Sequence, residues 1–322
     1  MVSFAAVPLP SCEPNFRRDA VAAEVHGWVS SEPMRALVAA FGGELPRAGV
    51  DELLVWLDGF SDEHWNFRKH GGVERDQVRA PGFAPATADL IAAAATALHL
   101  VDADPPAHPG YDHLLVLGGL GRACLQRTEH AARLVRAGAV AVPEVAALGS
   151  FRPLTEAETA LAALAGGGYE VDAMDAGIRI GFGFGEPVLR EAAEGSWEVR
   201  TYRAEGCPEV HVLAAPSSEP ESRRANTADT YEFWARRVSL RATDRILVVT
   251  SPIYVPFQHC DAVRMLALRH RCGIDTIGFD PERATVPLAP GATNPDRYLQ
   301  EIRSGILSMR RLCDALTETA VA

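Results

Sequence analysis

The sequence is almost devoid of lysine: of its 31 basic residues, Lys69 is the only lysine and the others are arginines. A pyridoxal phosphate enzyme needs a lysine that forms a Schiff base with the cofactor. Lys69 stands in a short charged segment, Arg68-Lys69-His70, outside every predicted strand. We therefore predict that the protein does not use pyridoxal phosphate.

Paired cysteines are also missing. The six cysteines are scattered along the chain, and none of them forms a Cys-x-x-Cys pair. Zinc sites draw on ligands that are closely paired along the chain, and the nearest approach here, His259-Cys260, consists of two adjacent residues that rarely reach one metal. We predict no metal site and reduced thiols, which are typical of a cytoplasmic protein.

Long apolar runs are absent as well. The best candidates, residues 86–100 and 246–255, are too short or interrupted to cross a membrane, and no basic region followed by an apolar core opens the sequence. The formal net charge of −11 disfavours a nucleic-acid partner, because backbone phosphates need a basic face. We expect a cytoplasmic protein without membrane or nucleic-acid partners; the sequence leaves open whether it forms a homo-oligomer.

The hydrophobic pattern divides the chain into two regions. In residues 1–108, apolar residues recur at three-to-four spacing, which predicts an N-terminal helical region. From 109 to 322, short apolar runs alternate with amphipathic segments, as in the βαβ units of a doubly wound, Rossmann-like α/β domain with a parallel sheet. A glycine-rich stretch at 166–206 breaks the alternation and predicts an insertion, either a lid or a hairpin. Residues 294–318 predict a C-terminal helix.

Five strands are predicted in this domain, each followed by a loop that contains glycine, serine or proline. They span residues 113–117, 142–148, 209–215, 245–250 and 274–279. A doubly wound sheet binds its ligand outside the carboxyl ends of the strands, where the strand order reverses. We therefore expect these loops to bind a small, nucleotide-like molecule.

The loop after the first strand is rich in glycine. It reads Gly118-Gly119-Leu120-Gly121-Arg122, and glycines let backbone amides approach an anion or a ribose closely. The third glycine of the dinucleotide fingerprint is missing, because Cys124 stands at its position. A tight strand-to-helix turn would explain any one of these glycines, whereas three of them at the carboxyl edge favour ligand contact.

The loop after the second strand repeats this pattern with Gly149 and Arg152. Glu156 and Glu158 follow in the first turn of the next predicted helix, where a carboxylate interacts favourably with the helix dipole. That structural role is one interpretation of the two glutamates. The other is that one of them binds a ribose hydroxyl or an ammonium group.

Two further loops place polar groups at the same predicted edge. Asn226 or Thr227 can cap the helix that follows the third strand, but the nearby Glu221 and two arginines exceed what a cap requires. After the fourth strand, Ser251 and Tyr254 supply a hydroxyl and a phenol. A lone tyrosine more often packs than reacts, so both interpretations of Tyr254 stay open.

The order of these motifs resembles that of the YdcF-like branch of the YdcF/SanA/ElyC superfamily, over about residues 110 to 315. The similar features are the Gly-Gly loop after a strand, Arg127 in the first helix, Glu221 separated by four residues from Asn226-Thr227, Val249-Thr250-Ser251 with Pro256, and Pro295-Asp296-Arg297-Tyr298-Leu299 before the last helix. The resemblance implies a Rossmann-like sheet with a helical appendage, and binding of S-adenosylmethionine without the usual methyltransferase motifs.

The leading hypothesis is an enzyme that binds S-adenosylmethionine and reacts it without a metal or pyridoxal phosphate. The predicted ligand-binding residues are Gly118, Gly119, Leu120, Gly121, Arg122, Arg127, Gly149, Arg152, Glu156, Asn226, Thr227 and Ser251. An arginine among them would bind the methionine carboxylate. The predicted catalytic base is Glu158, Glu221 or Tyr254, which would drive elimination or cyclisation of the aminocarboxypropyl chain and release methylthioadenosine. Transfer of a methyl or aminocarboxypropyl group from the bound ligand is equally compatible with these residues.

Two other functions are compatible with the same loops. One is a hydrolase or transferase of a phosphorylated metabolite, in which Arg223, Arg224 and the glycine loops hold the phosphate. The other is a non-catalytic sensor of a nucleotide-type ligand.

Overall fold

The computed structural model describes residues 2–67 and 82–318 and shows a mixed α/β fold with a seven-stranded sheet. Lys69 and its neighbours Arg68 and His70 lie outside the described residues. The fold class predicted from the sequence is confirmed, because helices precede a mostly parallel sheet and a long helix ends the described chain.

Among the described residues, four helices precede the sheet: α1 (Arg18–Val29), α2 (Glu32–Ala40), α3 (Val50–His64) and α4 (Pro85–Ala97). Each buries the apolar residues of one face, as in α2, where Met34, Leu37 and Val38 are buried. α1, α3 and α4 pack against the C-terminal helix, residues Pro295–Glu318, and α2 packs against α4. All four share one hydrophobic cluster with the sheet. The N-terminal helices therefore contribute to the same core as the sheet.

The seven strands are β1 (His113–Leu117), β2 (Glu144–Gly149), β3 (Leu189–Ala193), β4 (Trp197–Tyr202), β5 (Glu209–Ala214), β6 (Arg245–Thr250) and β7 (Gly273–Gly278). Their order across the sheet is β3-β4-β5-β2-β1-β6-β7. The five neighbouring strands β5, β2, β1, β6 and β7 are parallel, whereas β4 pairs antiparallel with both β3 and β5. The strand order reverses between β1 and β6, as in a doubly wound sheet.

Side chains alternate between the two faces of each strand. Leu114 and Val116 of β1 share a cluster with α5 (Gly121–Arg136) and α7 (Glu170–Phe182). Leu115 and Leu117 share a cluster with α8 (Thr227–Arg237) and α9 (Val255–Ala262) on the opposite face. After α9 the chain continues through a π-helical turn, Val263–Ala267, into α10 (Leu268–His270). The last helix of the described residues, after β7, is α11 (Pro295–Glu318).

The starts of the helices after β1 and β2 are linked. α5 begins at Gly121, whose amide donates a hydrogen bond to the Glu158 carboxylate at 2.6 Å. The helix predicted after the second strand is a short α6 (Glu156–Thr159) followed by a 3-10 turn, Ala162–Leu164. Glu158 and Leu164 both contact Gly121, and a straight helix would point residues six positions apart in different directions.

The stretch 166–206, expected to be an insertion, contains α7 and a hairpin formed by β3 and β4. α7 packs along α5 as part of the connection between β2 and β5. The hairpin adds two strands beyond β5, so that β3 is an outer strand of the sheet. Arg190 and Glu191 of β3 form ion pairs with Glu186 and Arg237.

α5 and α7 approach each other closely at two glycines of α7. A Cβ atom at Gly177 would lie 2.1 Å from Oγ1 of Thr128, and one at Gly181 would lie 2.9 Å from Cβ of Ala132. Residues four positions apart lie on the same face of a helix. The two glycines therefore let α7 pack directly against α5, which follows the glycine loop.

We expect Gly177→Ala to lower the free energy of unfolding by about 1–3 kcal/mol, because the added methyl group must push α7 away from α5. Gly59→Ala is the matched control: Gly59 lies in α3, where an added Cβ meets no atom within 4 Å. That substitution should be neutral or stabilising by up to about 1 kcal/mol, because alanine favours helix. Chemical denaturation of both variants measures the difference, and equal effects would contradict the tight α5–α7 contact.

Candidate functional site

The loops that follow β1, β2 and β6 converge at the carboxyl edge of the sheet, next to the reversal in strand order. Doubly wound sheets bind ligands at this position. We call this region the carboxyl-edge site. Its members are joined by the contacts described below and are Gly118, Gly119, Leu120, Arg127, Ser150, Arg152, Glu158, Glu170, Ser251 and Tyr254.

Arg127 links β1 and β6 at the reversal. The side chain is buried, its Nε and Nη2 donate to Oγ of Ser251 at 3.1 and 3.0 Å, and its Nη1 donates to the carbonyl oxygens of Leu117 and Gly118. Its guanidinium carbon lies 5.7 Å from the ring centroid of Tyr254, within the range of a cation–π contact. The structure thus brings together three residues that the sequence analysis placed in the site: Arg127, Ser251 and Tyr254.

Arg152 and Glu158 form a buried ion pair that holds the glycine loop. Nη2 of Arg152 lies 2.8 Å from Oε1 of Glu158 and also donates to the carbonyl oxygen of Gly119 at 2.9 Å. The same carboxylate accepts hydrogen bonds from the amides of Gly121 and Thr155. The amino end of α5, where an anion is favoured, therefore already carries a carboxylate.

These contacts determine the protonation state of Glu158. Burial by itself raises the pKa of this carboxyl group, but hydrogen bonds from Arg152 and from the amides of Thr155 and Gly121 outweigh burial and lower the pKa to about 2. Such a carboxylate is a weak base at neutral pH, so Glu158 is suited to position the loop rather than to accept a proton. Its neighbour Glu156 is exposed.

Glu170 is a site residue that the sequence analysis missed. It is the first residue of α7 and is only 8% exposed, and Oγ of Ser150 donates to its Oε2. Burial raises the pKa of Glu170 above its ordinary value of 4.5, although Ser150, Arg152 and Arg127 oppose the rise. A raised pKa makes the carboxylate of Glu170 a stronger base than an ordinary glutamate.

The glycines of the site are largely explained by contacts within the chain. A Cβ atom at Gly118 would lie 2.4 Å from Oε1 of Glu170, one at Gly121 would lie 2.4 Å from Cδ1 of Leu164, and one at Gly149 would lie 3.0 Å from Cα of Val171. Gly119 is less restricted, since its closest contact would be Nη1 of Arg127 at 3.3 Å. Close packing alone therefore requires Gly118, because a Cβ atom there would also lie 2.5 Å from the backbone carbonyl oxygen of Leu148.

An apolar rim flanks the polar groups, formed by Leu120, Phe151 and Tyr169. Leu120 is 51% exposed and Tyr169 is 44% exposed. The rings of Phe151 and Tyr169 are packed edge to face, with centroids 5.5 Å apart. Phe151 precedes Arg152, which bonds to the glycine loop beside Leu120. Exposed apolar side chains beside polar groups can contact the apolar part of a ligand.

Arg122, a predicted ligand-binding residue, holds the segment that follows β7. It donates to the carbonyl oxygen of Pro287 at 2.9 Å. Three other side chains on the same side of α5 bind the same segment: Gln126, Glu129 and Arg133. The contact fixes this segment along α5.

Glu221, Asn226 and Thr227 lie at the end of β5, and no hydrogen bond or ion pair among the described residues connects them to the carboxyl-edge site. Asn226 caps α8, because its Oδ1 accepts from the amides of Ala228 and Asp229. Asp229 accepts in return from the Asn226 amide and forms an ion pair with Arg223. Glu221 is exposed.

Two cavities lie on the amino side of the sheet, away from this site. One of about 430 Å³ lies between the start of α1 and Arg271, and one of about 180 Å³ lies beside Cys12 and the first residues of β7. Within residues 2–67 and 82–318, no three His, Cys, Asp or Glu side chains are grouped so as to hold a metal ion. In the same ranges no helix has the length and apolar character needed to cross a membrane.

Comparisons with known proteins extend over most of the chain. A family described as the Rv3785 N-terminal domain matches residues 12–99, which include α1 to α4. The chain is 29% identical over 321 residues to "Uncharacterized protein Rv3785" of Mycobacterium tuberculosis, covering 91% of this chain and 89% of the relative. "Uncharacterized protein Mb3814" of Mycobacterium bovis is similar to the same extent. No solved structure matches the chain significantly.

We expect Glu158→Gln to destabilise the protein in a pH-dependent way. The pKa of Glu158 falls from 4.5 to about 2 in the folded protein, so the carboxylate contributes stability above pH 4.5 that is lost as the pH falls towards 2. At neutral pH this contribution is about 3 kcal/mol. The difference in unfolding free energy between wild type and variant should therefore shrink below pH 4.5.

Glu156→Gln is the control, because Glu156 lies in the same helical turn but is exposed. Urea denaturation of both variants at neutral and acidic pH measures the two effects. A pH-independent loss in Glu158→Gln, or an equal loss in Glu156→Gln, would contradict the role of the Arg152–Glu158 pair.

Proposed function

We propose that the protein binds S-adenosylmethionine at the carboxyl-edge site and uses it as a substrate, in the cytoplasm, without a metal or pyridoxal phosphate. The observation that carries the proposal is the charge of the site, in which two carboxyl groups, Glu158 and Glu170, accompany two arginines, Arg127 and Arg152. S-adenosylmethionine carries a sulfonium, an ammonium and a carboxylate, so a site with charges of both signs suits it. The resemblance to YdcF-like proteins favours the same ligand.

A phosphorylated ligand is less favoured by the same geometry. Phosphate is usually bound at a helix amino end by free amides, but Glu158 occupies that position on α5 and accepts the Gly121 amide. Arg152 is neutralised by Glu158 at 2.8 Å. A phosphate dianion here would face two carboxyl groups, which would repel it.

Each part of S-adenosylmethionine has a counterpart in the site. The rim of Leu120, Phe151 and Tyr169 offers apolar surface for the adenine ring. We assign the methionine carboxylate to Arg127, which lies beside Ser251 and Tyr254 at the reversal in strand order. Glu170, beside the glycine loop, can stabilise the sulfonium or accept a proton.

Two reactions fit this arrangement. In cyclisation, an oxygen of the ligand's own carboxylate forms a bond to Cγ, the Cγ–S bond breaks, and its electron pair stays on sulfur as the neutral thioether of methylthioadenosine. In elimination, a base removes the proton from Cβ as the same bond breaks. Glu170 is the candidate base in our proposal, because the carboxylate of Glu158 is too weakly basic and Glu221 is exposed.

We expect calorimetry to detect binding of S-adenosylmethionine and methylthioadenosine to the full-length chain, with no binding of inorganic phosphate. Leu120→Ser should weaken the binding of both nucleosides. Ile180→Ser, which changes a more exposed apolar residue of α7, should leave the binding of both unchanged. Chromatography after incubation should show methylthioadenosine. Binding without turnover would favour the sensor, and binding of phosphate alone would favour the phosphorylated-metabolite enzyme.

We expect Glu170→Gln to reduce turnover by about a hundredfold or more, the usual loss of a positioned acid–base group.

The same variant has an expected effect on stability. Since the pKa of Glu170 is raised in the folded protein, the protonated carboxyl group contributes stability below pH 4.5, and this contribution is lost as the pH rises through the pKa of the folded state. The glutamine variant should therefore gain stability relative to wild type as the pH rises. Measuring turnover and unfolding over a pH series tests both, with Glu156→Gln as control. Unchanged turnover in Glu170→Gln would exclude the residue as the base.

A further inference from the structure

Ser150, the first residue after β2, is buried against Glu170. It is 5% exposed, its Oγ donates a hydrogen bond to Oε2 of Glu170, and the same Oγ accepts one from the amide of Arg152 at 3.2 Å. A backbone amide can only donate a hydrogen bond, and an ionised carboxylate can only accept one. The single hydroxyl hydrogen of Ser150 is therefore directed at Glu170.

The two carboxyl oxygens of Glu170 have different surroundings. Oε2 accepts from Ser150 and lies 4.0 Å from Nε of Arg152. Oε1 lies against the glycine loop, at the place where a Cβ atom of residue 118 would otherwise stand. A hydrogen-bond donor and a positive charge next to Oε2 favour negative charge on that oxygen. An incoming proton is therefore directed to Oε1, on the side of the glycine loop.

Charged groups from several segments are grouped around Glu170. They are Arg152 and Glu158 from the segments after β2, and Arg127 and Cys124 from α5. Burial raises the pKa of Glu170, whereas Ser150 and the two arginines favour the ionised carboxylate and oppose the rise. Among these three opposing side chains Ser150 is uncharged, so its replacement leaves the net charge of the site unchanged.

We propose that Ser150 is a positioning residue for Glu170: its hydroxyl holds Oε2, and Oε1, beside the glycine loop, is the oxygen that accepts a proton from the ligand. This inference rests on the proposed function, because the ligand is S-adenosylmethionine and Glu170 is the base. It commits the site to elimination, since cyclisation by the ligand's own carboxylate removes no proton from Cβ.

The proton that Glu170 accepts comes from Cβ of the aminocarboxypropyl chain. As Oε1 takes it, the C–H electron pair becomes the Cβ–Cγ double bond, and the electron pair of the Cγ–S bond leaves with sulfur. The products are methylthioadenosine and a β,γ-unsaturated amino acid, and Glu170 later returns the proton to water. The step neutralises both the sulfonium charge and the carboxylate charge.

Three substitutions of Ser150 test its role, because alanine removes the hydroxyl, cysteine leaves a weak donor and threonine keeps the hydroxyl. Loss of a hydrogen bond to a charged group disfavours the charged form, so the pKa of Glu170 should rise further in Ser150→Ala. The acid limb of the pH profile of kcat/KM, which reports the base of the free enzyme, should move upward by about one pH unit or more. Ser150→Cys should lie between wild type and Ser150→Ala, and Ser150→Thr should restore the profile.

Ser308→Ala is the matched control, because Ser308 of α11 is also buried and donates to a carboxylate, that of Asp261, at 2.7 Å. It should lower the melting temperature and leave the acid limb in place. A Ser150→Ala profile that falls equally at every pH, with its acid limb in place, would overturn the proposal, because a merely structural loss has that effect. A cyclic lactone in place of the unsaturated amino acid would also overturn it.

Unfolding by urea over a pH series tests the same coupling without turnover. Because a raised pKa of Glu170 costs stability only where the carboxyl group is ionised, Ser150→Ala should destabilise the protein more above the pKa of Glu170 than below it. The added loss is about tenfold in the folding equilibrium constant for each pH unit by which the pKa rises. In the Glu170→Gln background, the effect of Ser150→Ala should not change with pH.

The two measurements separate this inference from the proposed function. If S-adenosylmethionine is not consumed but the pH-dependent coupling of Ser150 to Glu170 is observed, the proposed function fails and the positioning of Glu170 stands. If S-adenosylmethionine is consumed and Ser150→Ala leaves the acid limb in place, the proposed function stands and the inference is overturned. If neither consumption nor coupling is observed, both are overturned.

Discussion

The carboxylate of Glu158 joins three segments that are distant in the chain, and the geometry of the carboxyl edge depends on it. It caps α5 through the Gly121 amide, completes the cap of α6 through Thr155, and pairs with Arg152. Arg127 lies in the second turn of α5, so the start of that helix determines where its guanidinium meets Ser251. One ion pair thus fixes both the glycine loop and the bridge between β1 and β6.

The sheet could be predicted from the sequence because each parallel strand is a short run of buried apolar residues. Of the five predicted strands, 113–117 and 245–250 agree with β1 and β6 at both ends. The helix starts were less predictable, because the cap of α5 comes from a residue 37 positions later, which no local pattern reveals. The hairpin of β3 and β4 was predicted only as one of two forms of an insertion, since glycine-rich segments fit several structures.

The candidate site was predictable in its position but not in all of its members. The loops after β1 and β6 and the residues Arg127, Ser251 and Tyr254 do converge. Glu170 could not be found, because an acidic residue at a helix start has an ordinary structural explanation. The Glu170 carboxylate joins the site because it is buried against Gly118, a residue 52 positions away in the sequence. Glu221 lies in an exposed loop before a well-capped helix, and the charges around it in the sequence do not reveal that exposure.

The outer strand β3 bears on how copies of this protein can meet. An exposed strand edge can pair with the same edge of a second molecule and extend the sheet. In the antiparallel register that pairs all five residues of β3 with a second copy, Glu191 stands opposite its own equivalent, and like charges directly opposite are unfavourable. Both charged side chains of β3 are also engaged within the chain, by Glu186 and Arg237. Edge-to-edge aggregation is thereby disfavoured, and the sheet stops at seven strands.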